Sequence, residues 1–185
     1  PLLDGIWMYA DQYIPDSSGN FLMDWRIAAD GSVAGQNAAT DADVDIAQAL
    51  LMAHRQWGSS GTINYLNHFR SMAAAIWNTE IGTDGRVKPG DGWDGTYFSS
   101  YMPPAWFRCW AGFESSPHNW QLSINWIYNT FYKTLLTNYP RGYKPENTNS
   151  SWSPNTQTHG YDASRYGWRI GQDYVWNGDQ DSTAN

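Results

Sequence analysis

The sequence predicts an all-α fold of about six helices joined by long loops. Three observations predict it. Apolar residues recur at three- and four-residue spacing in six windows, no strand-period hairpin of any length appears, and the connections are long and rich in Gly, Pro, Asn and Asp. Residues 1–14, "PLLDGIWMYADQYI", are apolar at 2, 3, 6, 9, 10, 13 and 14 and stop before Pro15. Residues 41–57 form the second helix, and residues 62–80 repeat the pattern through Ile63, Leu66, Phe69, Ala73, Ile76 and Trp77 after the break "GSSG". Residues 103–113 open on a proline pair suited to a helix start. Residues 117–139 carry the longest periodic run, and a last helix covers 162–177. In a helical protein, connections such as "TDGRVKPGDGWDGTYFSS" are binding walls more often than spacers.

Composition narrows the partners. At 185 residues and 41% hydrophobic, the chain is long enough for one substantial core, and one domain is the default count. Its 18 acids against 11 Lys and Arg, with no basic cluster, argue against a nucleic-acid partner. The run "AQALLMAH" falls far short of the roughly 20 apolar residues that cross a bilayer. The lone Cys109 has no second cysteine to pair with, so a buried structural thiol is expected. His54, His68, His118 and His159 show no ligand-pair spacing, and neither a metal nor a cofactor is expected. Because the chain starts at Pro1, it reads as a piece of something longer.

The unusual number is the aromatic content, 12 Trp, 12 Tyr and 6 Phe, much of it beside Gly, Asp and Ser. Trp93 in "PGDGWDG" and Trp152 in "NSSWSPN" lie in loop-like sequence. Indole faces suit the C–H face of a pyranose ring, whose hydroxyls then need carboxylates and amides. The alternative is that these rings anchor loops on a small core.

The stretch "ATDADVD" crowds three aspartates at a helix start. Thr40 as N-cap and Asp43 three residues later fit a capping pattern, and acids there favour the macrodipole. Asp41 and Asp45, four apart on one face, oppose it, because like charges at that spacing cost about 0.2–0.5 kcal/mol. Asp43 points with Ile46 and Leu50 toward the apolar stripe, where a carboxylate needs donors waiting for it.

"ATDADVDIAQALLMAHRQW" resembles the signature of glycoside hydrolase family 8. The stretches "LMDWRI", "QWGSSGTINY", "KPGDGWDGTYFSSYMPPAWFR" and "GYDASRYGWRIGQDYVWNGDQ" agree with it in order, from Leu2 to about Gln180. The resemblance implies part of an (α/α)6 barrel, with residues 1–185 a single partial catalytic domain. It also implies inverting hydrolysis of internal β-1,4 bonds. By position, Asp162 in "YDASR" matches the general base, Asp41 the acid that contacts the sugar at the cleavage point, and Tyr101 the tyrosine that orients the attacking water. Trp25 and Trp93 match sugar platforms and Arg165 an orienting cation, and with Tyr161 and Asp43 they are the expected substrate-binding residues. Read without the resemblance, Asp162 is a helix N-cap and Tyr101 and Trp25 are packing residues. The family's general acid, a glutamate in a Ser-Glu-Gly-x-Gly-Tyr-Gly type motif, has no counterpart here. Of Glu80, Glu114 and Glu146 none has that surrounding, and Glu80 is expected to end its helix away from the other motifs. The resemblance further implies a β-1,4-linked polysaccharide as partner and a secreted chain, expected to be a monomer. Asp162 and the wording "GSSGTINY" favour an endo-β-1,4-glucanase, with an endo-β-1,4-xylanase or a non-catalytic carbohydrate-binding half-barrel as alternatives.

Overall fold

The computed structural model describes residues 2–139, 144–154 and 159–178. The chain divides into two compact units, Pro1–Glu80 with Gly90–Gly92, and Ile81–Pro89 with Trp93–Asn185.

In the first unit α1 (Leu2–Ala10) runs into a 3-10 turn (Asp11–Tyr13), and Trp7 is buried with its ring 4.8 Å from that of His68. Strands β1 (Arg26–Ile27) and β2 (Val33–Gly35) pair antiparallel. Helices α2 (Thr40–Trp57) and α3 (Tyr65–Thr79) pack together, and their apolar stripes are the unit's core. Val44, Ala47, Leu50 and Leu51 of α2 and Phe69, Met72, Ala73 and Ile76 of α3 are all buried. Gly58, in the left-handed region at φ 78, ends α2 by returning its N–H to His54 O at 2.8 Å. Asn64 starts α3 three residues later than the periodicity alone suggests, because its side chain accepts the Asn67 N–H at 3.0 Å.

In the second unit β3 (Thr96–Phe98) and β4 (Asn147–Asn149) pair antiparallel, with Phe98 opposite Asn147. A 3-10 turn (Ser99–Tyr101) follows β3 and leads to α4 (Pro104–Trp110). The long fifth window is one rod in three parts: α5 (Trp120–Trp126), a π-helical stretch (Ile127–Tyr132) and α6 (Lys133–Asn138). Helix α7 spans Tyr161–Asn177. The core is aromatic: Phe107 stacks on Trp120 at 4.7 Å, and Trp110 meets Trp120 edge-on at 5.1 Å.

Four expectations need correction. Two short antiparallel pairs exist; with two or three residues per strand they show no readable alternation. Thr40 is not the N-cap of α2: Ala39 is, with no side-chain cap bond, and Thr40 is a fully buried helical residue whose Oγ1 has no hydrogen-bond partner among the described residues. Cys109 is only half-buried, although burial still pushes its thiol up. Trp152 takes the anchoring alternative, its ring 5.3 Å from Tyr97 and 6.2 Å from Phe131. Among the described residues no helix is long and apolar enough to cross a membrane.

Candidate active-site carboxylates

Asp162 lies in the first turn of α7, where backbone N–H groups lack intrahelical acceptors. Its side chain does not cap them. Glu146, just before β4, does so: its Oε2 accepts the Asp162 N–H at 2.7 Å and the Ala163 N–H at 3.1 Å. The Asp162 carboxylate is thereby released, and Oδ1 accepts the Ser100 hydroxyl at 2.6 Å and lies 3.8 Å from Arg165 Nη1. It stays partly open to solvent, at 26% side-chain exposure.

Ser100 is held in turn. It is fully buried, and its carbonyl accepts Arg169 Nε–H at 2.8 Å. The buried Arg169 guanidinium lies 4.3 Å from the Trp106 ring and 4.5 Å from the Trp168 ring, so two indoles fix its plane. Farther along α7, buried Asp173 accepts Arg108 Nε–H at 3.1 Å and the Tyr128 hydroxyl at 2.6 Å, tying the helix to α4 and the π-helical stretch. Tyr101, half-buried, stacks on Phe98 at 4.7 Å. Tyr161 is 84% exposed and Trp93 40% exposed.

The first unit carries the other predicted residues. The three aspartates of "ATDAD" and its sequel separate by depth: Asp45 is exposed, Asp41 half-buried and Asp43 buried. Asp43 thus follows the helical wheel into the core. Among the described residues no donor reaches Asp43 Oδ2. Burial first, then the charges of Glu80, Asp41 and Asp91 and a hydrogen bond with Glu80, push its carboxyl well above the usual carboxylate range. Burial and the neighbouring Glu80 carboxyl thus both favour the protonated form of Asp43. Glu80 follows the end of α3, fully buried, and it does meet the signature, contrary to expectation.

A second acidic pair stands beside it. Asp91 Oδ1 accepts the Ala38 N–H and Oδ2 accepts Asn20 Nδ2–H, each at 2.8 Å. Burial raises the Asp91 carboxyl, but these bonds and those from Asp16 and Ser18 outweigh it and hold it below the ordinary value. Its neighbour Asp16 is pushed up to about 6, chiefly by burial. Trp25, half exposed, lies on the backbone of Gly35, where an added Cβ would come within 2.4 Å of the indole; only glycine lets the ring lie there.

The predicted residues therefore fall into two sets: Asp162, Tyr101, Tyr161, Arg165 and Trp93 in one unit, Asp41, Asp43 and Trp25 in the other. Sequence reasoning missed Glu146, Ser100, Arg169, Glu80, Asp91 and Asp16. The Arg169 stack had a signal in "RYGWR"; Glu146, sixteen residues before its partner in a polar loop, had none. Among the described residues no three His, Cys, Asp or Glu side chains converge as metal ligands.

The model of glycosyl hydrolases family 8 matches residues 1–185. Endoglucanase A of Acetivibrio thermocellus is 36% identical over 194 residues, covering 100% of this chain and 40% of that protein. A beta-1,3-1,4-glucanase from Paenibacillus sp. X4 superimposes with a TM-score of 0.85 at 27% identity, over 95% of this chain and 51% of its own. A xylanase from Teredinibacter turnerae superimposes at 0.80 with 20% identity, over 95% of this chain and 53% of its own, a likeness of fold alone. The chain thus spans about half the length of these proteins or less. The matches bear out the expected class, all-α and part of an (α/α)6 barrel. The chain belongs to glycosyl hydrolase family 8.

Proposed function

We propose that residues 1–185 are part of the catalytic domain of a secreted, monomeric, inverting endo-β-1,4-glucanase acting on cellulose or a related β-glucan. The observation that carries this reading is the state of Asp162: a carboxylate at a helix start, relieved of capping by Glu146 and oriented by Ser100 and Arg165. That is what a general base requires. Inverting hydrolysis needs one carboxyl to protonate the leaving oxygen and a carboxylate to activate water on the opposite face, roughly 6.5–9.5 Å away. Asp162 takes the proton of that water as its oxygen attacks the anomeric carbon. Tyr101 orients the water through its hydroxyl, and Asp41 contacts the sugar at the cleavage point. Trp25, Trp93 and Tyr161 offer faces to neighbouring sugars. The proton donor is a glutamate outside residues 1–185. A β-glucan is favoured over xylan because the relative 36% identical over the whole chain is an endoglucanase.

In the full-length protein, Asp162→Asn is expected to lower turnover of carboxymethylcellulose about 10²–10⁴-fold while leaving oligosaccharide binding intact. Reducing-end release measures the first and calorimetry the second. Products formed initially as the α-anomer, seen by proton NMR, mark inversion. Near-normal turnover by the variant overturns the assignment of the base, and faster hydrolysis of xylan than of β-glucan overturns the substrate.

A further inference from the structure

We propose that Glu146 is a positioning residue for Asp162, which caps α7 in its stead and so frees the Asp162 carboxylate for the attacking water. The inference rests on the reading of Asp162 as the general base.

An aspartate in a first helical turn ordinarily bends back onto the unpaired N–H groups beside it. Here one Glu146 oxygen already occupies those of Asp162 and Ala163, at 2.7 and 3.1 Å. The capping position itself is vacated to make room. Gly160 offers no side-chain oxygen, and a Cβ on it would lie 1.6 Å from Glu146 Oε1, so a residue that caps for itself and Glu146 exclude each other. The negative charge also suits the helix start.

The small sheet explains why the cap comes from Glu146. In the antiparallel pair β3–β4, Phe98 faces Asn147, so the chain leaves the same end of the sheet as Ser99–Ser100 on one strand and as Glu146 on the other. All three residues hold Asp162. Glu146 takes its N–H, Ser99 Oγ–H donates to its carbonyl at 3.3 Å, and Ser100 Oγ–H donates to Oδ1 at 2.6 Å. The residue is clamped by backbone and side chain from one end of the sheet.

The test uses the full-length protein and soluble β-glucan. Glu146→Ala is expected to lower kcat about 10²-fold, the scale of a misplaced reacting group, with KM little changed. The acid limb of the kcat/KM profile should move to lower pH, because an Asp162 carboxylate drawn onto N–H groups is held more firmly ionised. Glu146→Gln, whose carbonyl still accepts those bonds, should recover most of the turnover. Gly160→Ala, which displaces the Glu146 carboxylate, should behave like Glu146→Ala and decides the matter if that variant does not fold. A fall in melting temperature with kcat and the acid limb unmoved overturns the proposal, since the cap would then serve only the helix. Asp162→Asn in the same assay separates the two readings. If it is dead while Glu146→Ala and Gly160→Ala are unimpaired, only the positioning role falls; if it turns over normally, the base falls and the positioning role with it.

Discussion

Helices α2 and α7 both open on acids, and at neither does the N-cap residue supply a side-chain oxygen: Ala39 stands before one and Gly160 before the other. The backbone of Ala39 is fixed instead by a bridge to Gly90, and the Ala38 N–H by the Asp91 carboxylate. At α7 the substitute is the carboxylate of Glu146. The fates of the two aspartates diverge from there. Asp43 turns inward to another acid, and its carboxyl is pushed well above the usual range; Asp162 stays at the rim, partly solvated, with a hydroxyl and a guanidinium for company. Depth and the groups that face the carboxyl thus set two first-turn aspartates apart.

The largest stability effect expected from this contrast is at Asp43. Its carboxyl in the fold lies above its unfolded value, so its contribution is fully present below about pH 4 and is lost as pH rises through the folded value. The slope reaches at most about 1.4 kcal/mol for each pH unit over that window. Asp43→Asn, which mimics the protonated form, should flatten the decline and raise stability at neutral pH. Asp16, pushed up to about 6, adds to the same trend only between about pH 4 and that value, and Asp16→Asn should remove that part. Melting temperatures from pH 4 to 8 check both; a wild-type stability that climbs with pH through this window refutes the raised Asp43 carboxyl.

A smaller effect is expected under α7, where the order comes from donors rather than from a proton. Arg169→Lys keeps the charge but loses the flat guanidinium held between Trp106 and Trp168 and the Nε–H bond to Ser100 O. It should cost about 2 kcal/mol and lower kcat more than it raises KM, because Ser100 then holds Asp162 less firmly. Denaturant unfolding and steady-state kinetics measure the two. A rise in KM equal to the fall in kcat would show a general loosening of the unit instead.

The sequence carried α2 and α3 well, because their apolar stripes meet each other. It also sent Asp43 into the core by helical phase alone. What it did not carry were contacts set by distant chain. Glu80 reaches Asp43 through the packing of α3 on α2, and Asp91 reaches Ala38 from fifty-three residues away. Glu146 reaches α7 only because strands of three residues pair, and strands so short leave no periodicity. The same limit explains the misassigned cap. "Thr-x-x-Asp" is a sound local pattern, but the 90–92 segment had already fixed the backbone before Thr40, and no local pattern can know that.

The smallest predicted effect tests that last point. Thr40 is fully buried in the first turn of α2, and its Oγ1 has no hydrogen-bond partner among the described residues. A buried hydroxyl left unsatisfied costs desolvation without return, whereas a valine of the same shape removes the cost. Thr40→Val should therefore leave stability unchanged or raise it by up to about 1 kcal/mol. A capping threonine gives the opposite sign, a loss of about 1–2 kcal/mol on removal of its oxygen. Urea unfolding separates the two by the direction of the midpoint shift. A loss would return the cap of α2 to Thr40 and erase half of the contrast with α7; an unchanged or higher midpoint leaves both helices started by residues from elsewhere in their own units.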